Sequence, residues 1–395
     1  MISFDEAIEL IGSIAKPLGV ETVSLGEAAG RVLAVPVVAM IDSPRRDSSA
    51  MDGYAVRDED LANLPAQLKI VGESFAGAGW RGMVAPGTCS RIFTGAPVPT
   101  GANHVVMQEN VRREGDLAII DADPGSARHI RNAGSDFAAG TELLPKGRLL
   151  DPRAIVAAAG ADIPAIDAFR RPRVHILSTG DELAEPGAAR DRADAIPESV
   201  SFGVAALAEQ WGARCTGTTR LRDDLVLMQS AAEGVIKSAD VIVVTGGASV
   251  GEKDFAKDMF AALGLQLIFS RVSIKPGKPV WLGLVGDRFV VGLPGNPTSA
   301  LVTARLLLVP LLAAMQGRQI DSALGWISAP LGTALAPSGD RETFHRAVVR
   351  QGAAQILSFQ DSSAQKALAE ADVLVRQREG SPALFPGEIV QVLDF

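Results

Sequence analysis

Ser178-Thr179-Gly180-Asp181-Glu182-Leu183 follows an apolar run, as do Thr245-Gly246-Gly247-Ala248-Ser249-Val250-Gly251-Glu252-Lys253-Asp254 and Gly292-Leu293-Pro294-Gly295-Asn296-Pro297-Thr298-Ser299. Glycine lets backbone N–H groups approach an anion, and a helix start adds partial positive charge. Ser249, Thr298 and Ser299 add hydroxyl donors. Each loop alone is equally served by a βα turn with an N-cap. Carboxylates accompany them: Asp181, Glu182, Asp223, Asp224 and Asp254. Hard oxygen donors of this kind suit Mg2+ bound together with phosphate and water. Asp223, Asp224 and Asp254 also stand where a helix would be capped, whereas Glu182 has no such alternative role. Ile274-Lys275-Pro276-Gly277-Lys278-Pro279 holds Lys275 and Lys278 on a stiff turn. Two ammonium groups beside backbone donors suit a tetrahedral oxyanion, and a solvated surface turn is the plain alternative.

A second group lies earlier. Ser48-Ser49-Ala50-Met51-Asp52-Gly53-Tyr54-Ala55-Val56 contains the single tyrosine, and Asp52 is either half of an Asp-Gly turn or a working carboxylate. Phe93-Thr94-Gly95-Ala96-Pro97-Val98-Pro99 and Ile130-Arg131-Asn132-Ala133-Gly134-Ser135-Asp136 read as turns that carry polar groups. Gly77-Ala78-Gly79-Trp80-Arg81-Gly82 matches G-x-G-x-x-G, but Met83-Val84-Ala85-Pro86-Gly87 follows where a dinucleotide fold needs a helix. No stretch gives G-x-x-x-x-G-K-[ST], which disfavours P-loop hydrolysis.

The elements that must position these groups change character along the chain. Ser3 and Glu6 fit a capping box ahead of a helix with Phe4, Ile8, Ile11 and Ala15 on one face. Short β-type runs such as Arg31–Val38 follow. Residues 46–140 are short apolar runs between Gly, Pro, Asn and Asp, a β-rich pattern. Asp151-Pro152 starts a helix that Gly160 ends. From 171 strands alternate with helices. The strands are Val174–Leu177, Ala213–Thr218, Val241–Val244, Leu267–Phe269 and Phe289–Val291. The helices are near 199–211, 223–238, 254–263 and 298–316. This rhythm predicts a doubly wound, mostly parallel sheet, whose ligands sit beyond the carboxyl ends of the strands. From 321 the chain is again β-like.

The chain has 395 residues, so several domains are expected. Net charge is −8, which argues against non-specific nucleic-acid binding. Cys89 and Cys215 lie far apart and the four histidines are scattered, so neither a disulfide framework nor a zinc site is expected. No apolar run approaches ~18 residues and the N-terminus lacks a basic region, so no membrane span is expected and the cytoplasm is the default location.

In order along the chain, SSAMDGYAV, RIFTGAPVPTGANHVVMQENV, STGDEL, TGGASVGEKDF, IKPGKP and GLPGNPTSA resemble the molybdopterin molybdenumtransferase family, the molybdenum insertases related to the E domain of gephyrin. The resemblance implies a multidomain α/β and β fold. A helical/extended linking domain would comprise 1–45 with 141–170, and a β-rich second domain 46–140. A doubly wound α/β molybdopterin-binding domain would take 171–320, and a small C-terminal β-barrel-like domain 321–395. It implies insertion of molybdenum from molybdate into adenylylated molybdopterin with release of AMP, the last step of molybdenum cofactor assembly. By the same resemblance Asp52, Thr94, Arg131, Asp136, Glu182, Asp254, Lys275 and Lys278 carry the reaction. Ser178, Thr179, Gly180, Gly246, Gly247, Ser249, Gly251, Pro294, Gly295, Asn296, Pro297, Ser299 and Arg341 (with Arg346 second to Arg341) contact substrate. Asp181, Glu182 and Asp254 hold Mg2+. The implied assembly is a homodimer with the site between subunits. A molybdopterin adenylyltransferase and recipient molybdoenzymes are the implied protein partners. The chain departs from the family at Pro197-Glu198-Ser199-Val200, where an Asp-Ser/Thr-Asn string is usual, and only loosely matches it around Asp361–Gln365. That departure keeps open a non-catalytic cofactor carrier or scaffold. An amidohydrolase or adenylyltransferase relative sharing only the α/β domain is disfavoured by the MDGY and TGAPVP strings.

Overall fold

The computed structural model describes residues 1–246 and 255–395. Its central sheet has the strand order Arg214–Leu221, Arg173–Thr179, Val241–Thr245, Arg288–Leu293, Trp281–Val285, Gln266–Phe269. The first four run parallel. Trp281–Val285 is antiparallel to both neighbours. The sequence reading missed that strand. Its register pairs Trp281 with Gly292, and a Cβ at Gly292 would fall 1.9 Å from the indole. Gly292 thus leaves room for the largest fully buried side chain of the protein.

Helices cover both faces. Val200–Gln210 and the continuous helix Pro297–Met315 pack on Val174, Ile176, Val241, Val243, Phe289 and Val291, and Phe4–Ile14 packs on the outside of Pro297–Met315. Leu225–Val235 and Phe255–Asp258 pack on Leu177, Ile242, Val244 and Val290. A strand covered on both faces reads as a near-continuous apolar run, as Val241, Ile242, Val243 and Val244 do in the wholly buried strand Val241–Thr245. The helix expected over 254–263 is a short turn, Phe255–Asp258, followed by the 3-10 turn Ala261–Leu263.

Helix Pro297–Met315 has 19 residues and the apolarity of a membrane span, but 94% of it is buried inside the protein. It is a core helix. Its Arg305 donates to the Asp394 and Ala323 carbonyls and lies over Trp211.

Around the sheet, Val20–Ser24 pairs with Ala165–Phe169, and Val37–Val38 with Glu142–Leu144. The remainder of the expected 31–38 run makes only isolated bridges, at Val32 and Leu33. The capping box of Ser3 and Glu6 forms, and the Asp151 side chain caps Pro152–Gly160. A six-stranded sheet occupies the β-rich region, in the order His104–Met107, Gly53–Val56, Thr88–Ile92, Ala66–Ser74, Leu117–Ile120, Arg112–Glu114.

The C-terminal sheet runs Glu342–Arg350, Val373–Gln377, Ile389–Asp394, Ile327–Pro330, with Ala353–Ile356 on the outer side of Glu342–Arg350. Leu331, just past the last of these strands, bridges back to Ala354, which brings the two ends of the sheet together. Ile274–Lys275 adds a parallel strand to Glu342–Arg350, so the lysine turn is stitched to the C-terminal sheet.

Candidate functional site: a cleft at the switch point of the sheet

From Arg173–Thr179 the chain first moves to one side of the sheet and then returns to the other, so strand order reverses between Arg173–Thr179 and Val241–Thr245. Such a reversal splays the following loops apart and opens a crevice. A cleft of about 740 Å3 lies there. Thr179, Gly180 and Glu182 line it from the first loop, Thr245 and Gly246 from the second, and Pro294, Gly295, Asn296 and Pro297 from the third. The three loops read from the sequence therefore do meet.

Close backbone approach needs glycine here. Gly246 has φ 87°, and a Cβ there would sit 2.4 Å from the Thr179 carbonyl oxygen. A Cβ on Gly295 would come within 3.4 Å of the Gly246 Cα. Gly246→Ala is expected to destabilise by about 1–3 kcal/mol through forced backbone strain, read as a lower Tm. A variant with unchanged Tm would show that the loops yield easily.

Three helices start at the cleft: Pro297–Met315, Val200–Gln210 and Leu225–Val235. Their N-termini direct partial positive charge at it. Asp224 caps the last helix by accepting from the Val226 and Leu227 N–H groups, while Asp223 lines the cleft. Of the two adjacent carboxylates, one caps the helix and the other reaches the cleft. Asp181 is exposed and accepts from the Asp223 N–H; it is not among the lining residues. Glu182 lines the cleft and has no side-chain hydrogen bond or ion pair among the described residues.

Other expected residues stand further back. Ser178 is buried and accepts from the Thr245 hydroxyl at 3.2 Å, behind the lining. Ser299 is buried within its helix. Lys275 and Lys278 are exposed on their turn, of which Pro279 reaches the cleft. Arg341 precedes the strand that pairs with this turn and lies 3.9 Å from Asp340. Arg346 is buried and donates to the Thr298 hydroxyl and to the Phe359, Asp361 and Ala364 carbonyls, a structural tie. Gly247, Ser249, Gly251 and Asp254 lie outside the described residues.

The earlier motifs assemble separately. Asp52 accepts from the Thr94 N–H at 2.7 Å and the Thr94 hydroxyl at 2.8 Å. These bonds hold the Asp52 carboxyl below the ordinary carboxylate range, aided by the Arg91 charge. Arg131 and Asp136 line a second groove of about 670 Å3 with Arg45, Arg46 and loop glycines Gly77, Gly79 and Gly95. The G-x-G-x-x-G string is thus a turn bordering this groove, with Phe75 and Ala78 bridged to each other. Within one chain the two clefts share no lining residue.

Family comparisons agree with this layout. Residues 2–161 match the MoeA N-terminal region (domain I and II), 175–314 the probable molybdopterin binding domain, and 328–395 the MoeA C-terminal region (domain IV). The molybdopterin molybdenumtransferase of a Nostoc species is 35% identical over 341 residues, covering 82% of this chain and 76% of that protein. The Haemophilus influenzae molybdopterin molybdenumtransferase is 34% identical over 354 residues, covering 89% and 86%. The chain belongs to the molybdopterin molybdenumtransferase family. The crystal structure of the molybdopterin biosynthesis moeA protein from Pyrococcus horikoshii OT3 superimposes over the full length of both chains, at TM-score 0.86 and 27% identity. The multidomain α/β fold expected from the sequence is the fold of this family.

Where this chain departs from its family's usual string, the cleft wall is intact. Ile196, Pro197, Glu198, Ser199 and Val200 all line it. Glu198 is buried and accepts from the N–H and hydroxyl of Ser201, which anchors the start of Val200–Gln210. The sequence reading also missed Ser363 and Gln365 as lining residues. Ser362 accepts from the Asn296 amide and from the Thr298 N–H, and Gln365 donates to the Ser199 hydroxyl at 3.5 Å. The loose match at 361–365 was the only signal, and contacts 66 and 166 residues apart leave no periodicity to read.

Proposed function

We propose that this protein inserts molybdenum from molybdate into adenylylated molybdopterin and releases AMP. The observation that carries the proposal is the switch-point cleft, where three glycine-rich loops and three helix starts converge in a chain matched by its family along nearly its whole length. Substrate phosphates and the molybdate dianion are the chemistry such a site favours. The Gly180, Gly246 and Gly295 loops let backbone approach the phosphates, and Lys275 and Lys278 neutralise charge from the rim. The dithiolene sulfurs belong to the substrate, so the buried Cys89 thiol, pushed up to about 12 by burial, has no part in the reaction.

Mg2+ fits the donors available. Glu182 offers hard oxygens on the cleft, Asp181 stands beside it outside the lining, and substrate phosphate and water would complete the shell. Asp254 would join them by resemblance. When bound, the ion would supply charge neutralisation at the phosphate.

The active form is a homodimer in which Asp52, Thr94, Arg131 and Asp136 of one subunit face the cleft of the other. Their seclusion from the cleft within one chain supports this arrangement. A micromolar solution is expected to scatter light as a dimer, and a monomer would refute the shared site. Function is tested directly by supplying adenylylated molybdopterin, molybdate and Mg2+. AMP release with formation of active cofactor is expected. Tight molybdopterin binding without AMP release would instead establish a carrier.

A further inference from the structure

We infer that the β-rich domain carries the seat for the substrate's pterin ring, on the outer face of Phe75. This inference rests on the insertase reading above.

Four side chains form a column in that domain. Tyr54, nearly fully buried, is its base. The Arg91 guanidinium lies 5.0 Å from the Tyr54 ring centre and 4.9 Å from that of Phe93. Phe93 and Phe75 stack with centroids 4.7 Å apart and planes 12° from parallel. Alternating π faces and a cation attract one another, so each layer orients the next.

The column is fixed by hydrogen bonds. Arg91 donates to the Gly53 carbonyl at 3.0 Å and to the Gln108 side chain. The Phe93 N–H donates to the Ser74 carbonyl, and Phe75 exchanges both backbone bonds with Ala78. The top layer is nevertheless 43% exposed. Phe75 makes no other ring contact among the described residues. A rigid, wet aromatic face is prepared for another flat ring.

The neighbours select which ring. Phe93 is followed by Thr94, which holds Asp52. The Phe75 turn contributes Gly77 to the groove that holds Arg45, Arg46, Arg131 and Asp136. Guanidinium donors and a carboxylate acceptor suit the oxo group and the amino and N–H edge of a pterin. The substrate has two flat aromatic faces, the adenine and the pyrimidine part of the reduced pterin. The proposed function places the adenylate phosphate at the helix starts of the α/β cleft, which leaves the pterin for Phe75.

The test uses neopterin, a free pterin, and AMP as separate probes of the wild-type protein and of Phe75→Ala, Phe75→Leu and Phe75→Trp. Pterin fluorescence quenching and calorimetry read the affinities, and Tm reports folding. Wild type should bind neopterin. Phe75→Ala and Phe75→Leu should weaken it about tenfold or more, the usual effect of losing a stacked ring. Phe75→Trp should stay within about threefold, and AMP affinity should not change in any variant. Leucine keeps apolar bulk without a π face, so wild-type binding by Phe75→Leu overturns the inference. Absence of neopterin binding by wild type also overturns it. Loss of AMP rather than neopterin binding would assign the face to adenine and overturn it as well. If Phe75 governs neopterin binding but the wild type never releases AMP from the full substrate, the seat stands and the insertase reading fails.

Discussion

Asp52→Ala should fold with wild-type Tm, bind AMP normally and release AMP from adenylylated molybdopterin about 100-fold more slowly, the usual cost of removing one preorganised charged group. Asp52 is half-buried at the turn ahead of Gly53–Val56, so its removal opens no enclosed cavity and leaves the Thr94 N–H to water. Its two bonds from Thr94 extend its ionised range to lower pH and stop it from rotating away. Charge and orientation can be separated. Asp52→Asn keeps the shape and loses the charge, and should approach the alanine variant. Thr94→Val keeps the N–H bond, loses only the hydroxyl, and should cost about tenfold, roughly the share of one hydrogen bond to a charged group. Because the carboxyl is held below its ordinary value near 4, protonation of Asp52 should give no step in the pH–rate profile above about pH 4. Normal turnover by Asp52→Ala would return this residue to the role of a turn former.

Asp240→Ala should destabilise the α/β domain by about 3 kcal/mol, the lower end for breaking a buried ion pair, because the partners reach solvent. Asp240 is 1% exposed at the start of the central strand. Arg170, Arg173 and Arg288 all donate to it, at 2.8–3.1 Å. The Arg173 N–H does so as well, at 2.9 Å. Burial works against its charge, yet the guanidiniums prevail and hold the carboxyl far below the ordinary range. Its stabilisation is therefore fully present above about pH 4, the unfolded value, and is lost as pH falls toward the folded one. Urea midpoints from pH 7 down to pH 3 should show a steep acid loss in the wild type and a shallower one in Asp240→Asn. Equal slopes would mean that other carboxylates dominate acid unfolding.

Legibility differed sharply between the parts of this molecule. The central parallel strand was readable because burial on both faces makes it an unbroken apolar run from Val241 to Val244. Trp281–Val285 was not. Its Trp-Leu-Gly-Leu-Val string follows a turn without an intervening helix, and its antiparallel place depends on Gly292 across the sheet. The Ser3–Glu6 and Asp151 caps were readable because capping is local. Asp223 and Asp224 were not separable, since they are adjacent at the start of the same helix and only the fold around the Asp181 loop decides which one turns to the cleft.

The sequence by itself determined the chemistry: glycines where backbone must crowd, hydroxyls and carboxylates after strands, paired lysines on a stiff turn, and the ordered strings of one family. Those are properties of residue type and spacing along a few peptide units. Only the tertiary structure decided which groups share a cleft. Chain reversal beside Arg173–Thr179 gathered Thr179, Gly246 and Gly295 from positions far apart, and brought Ser362 and Gln365 of the C-terminal region over them. It also set Asp52 and Arg131 apart from that cleft within one chain. Juxtaposition of this kind comes from packing between distant segments, and no local pattern records it.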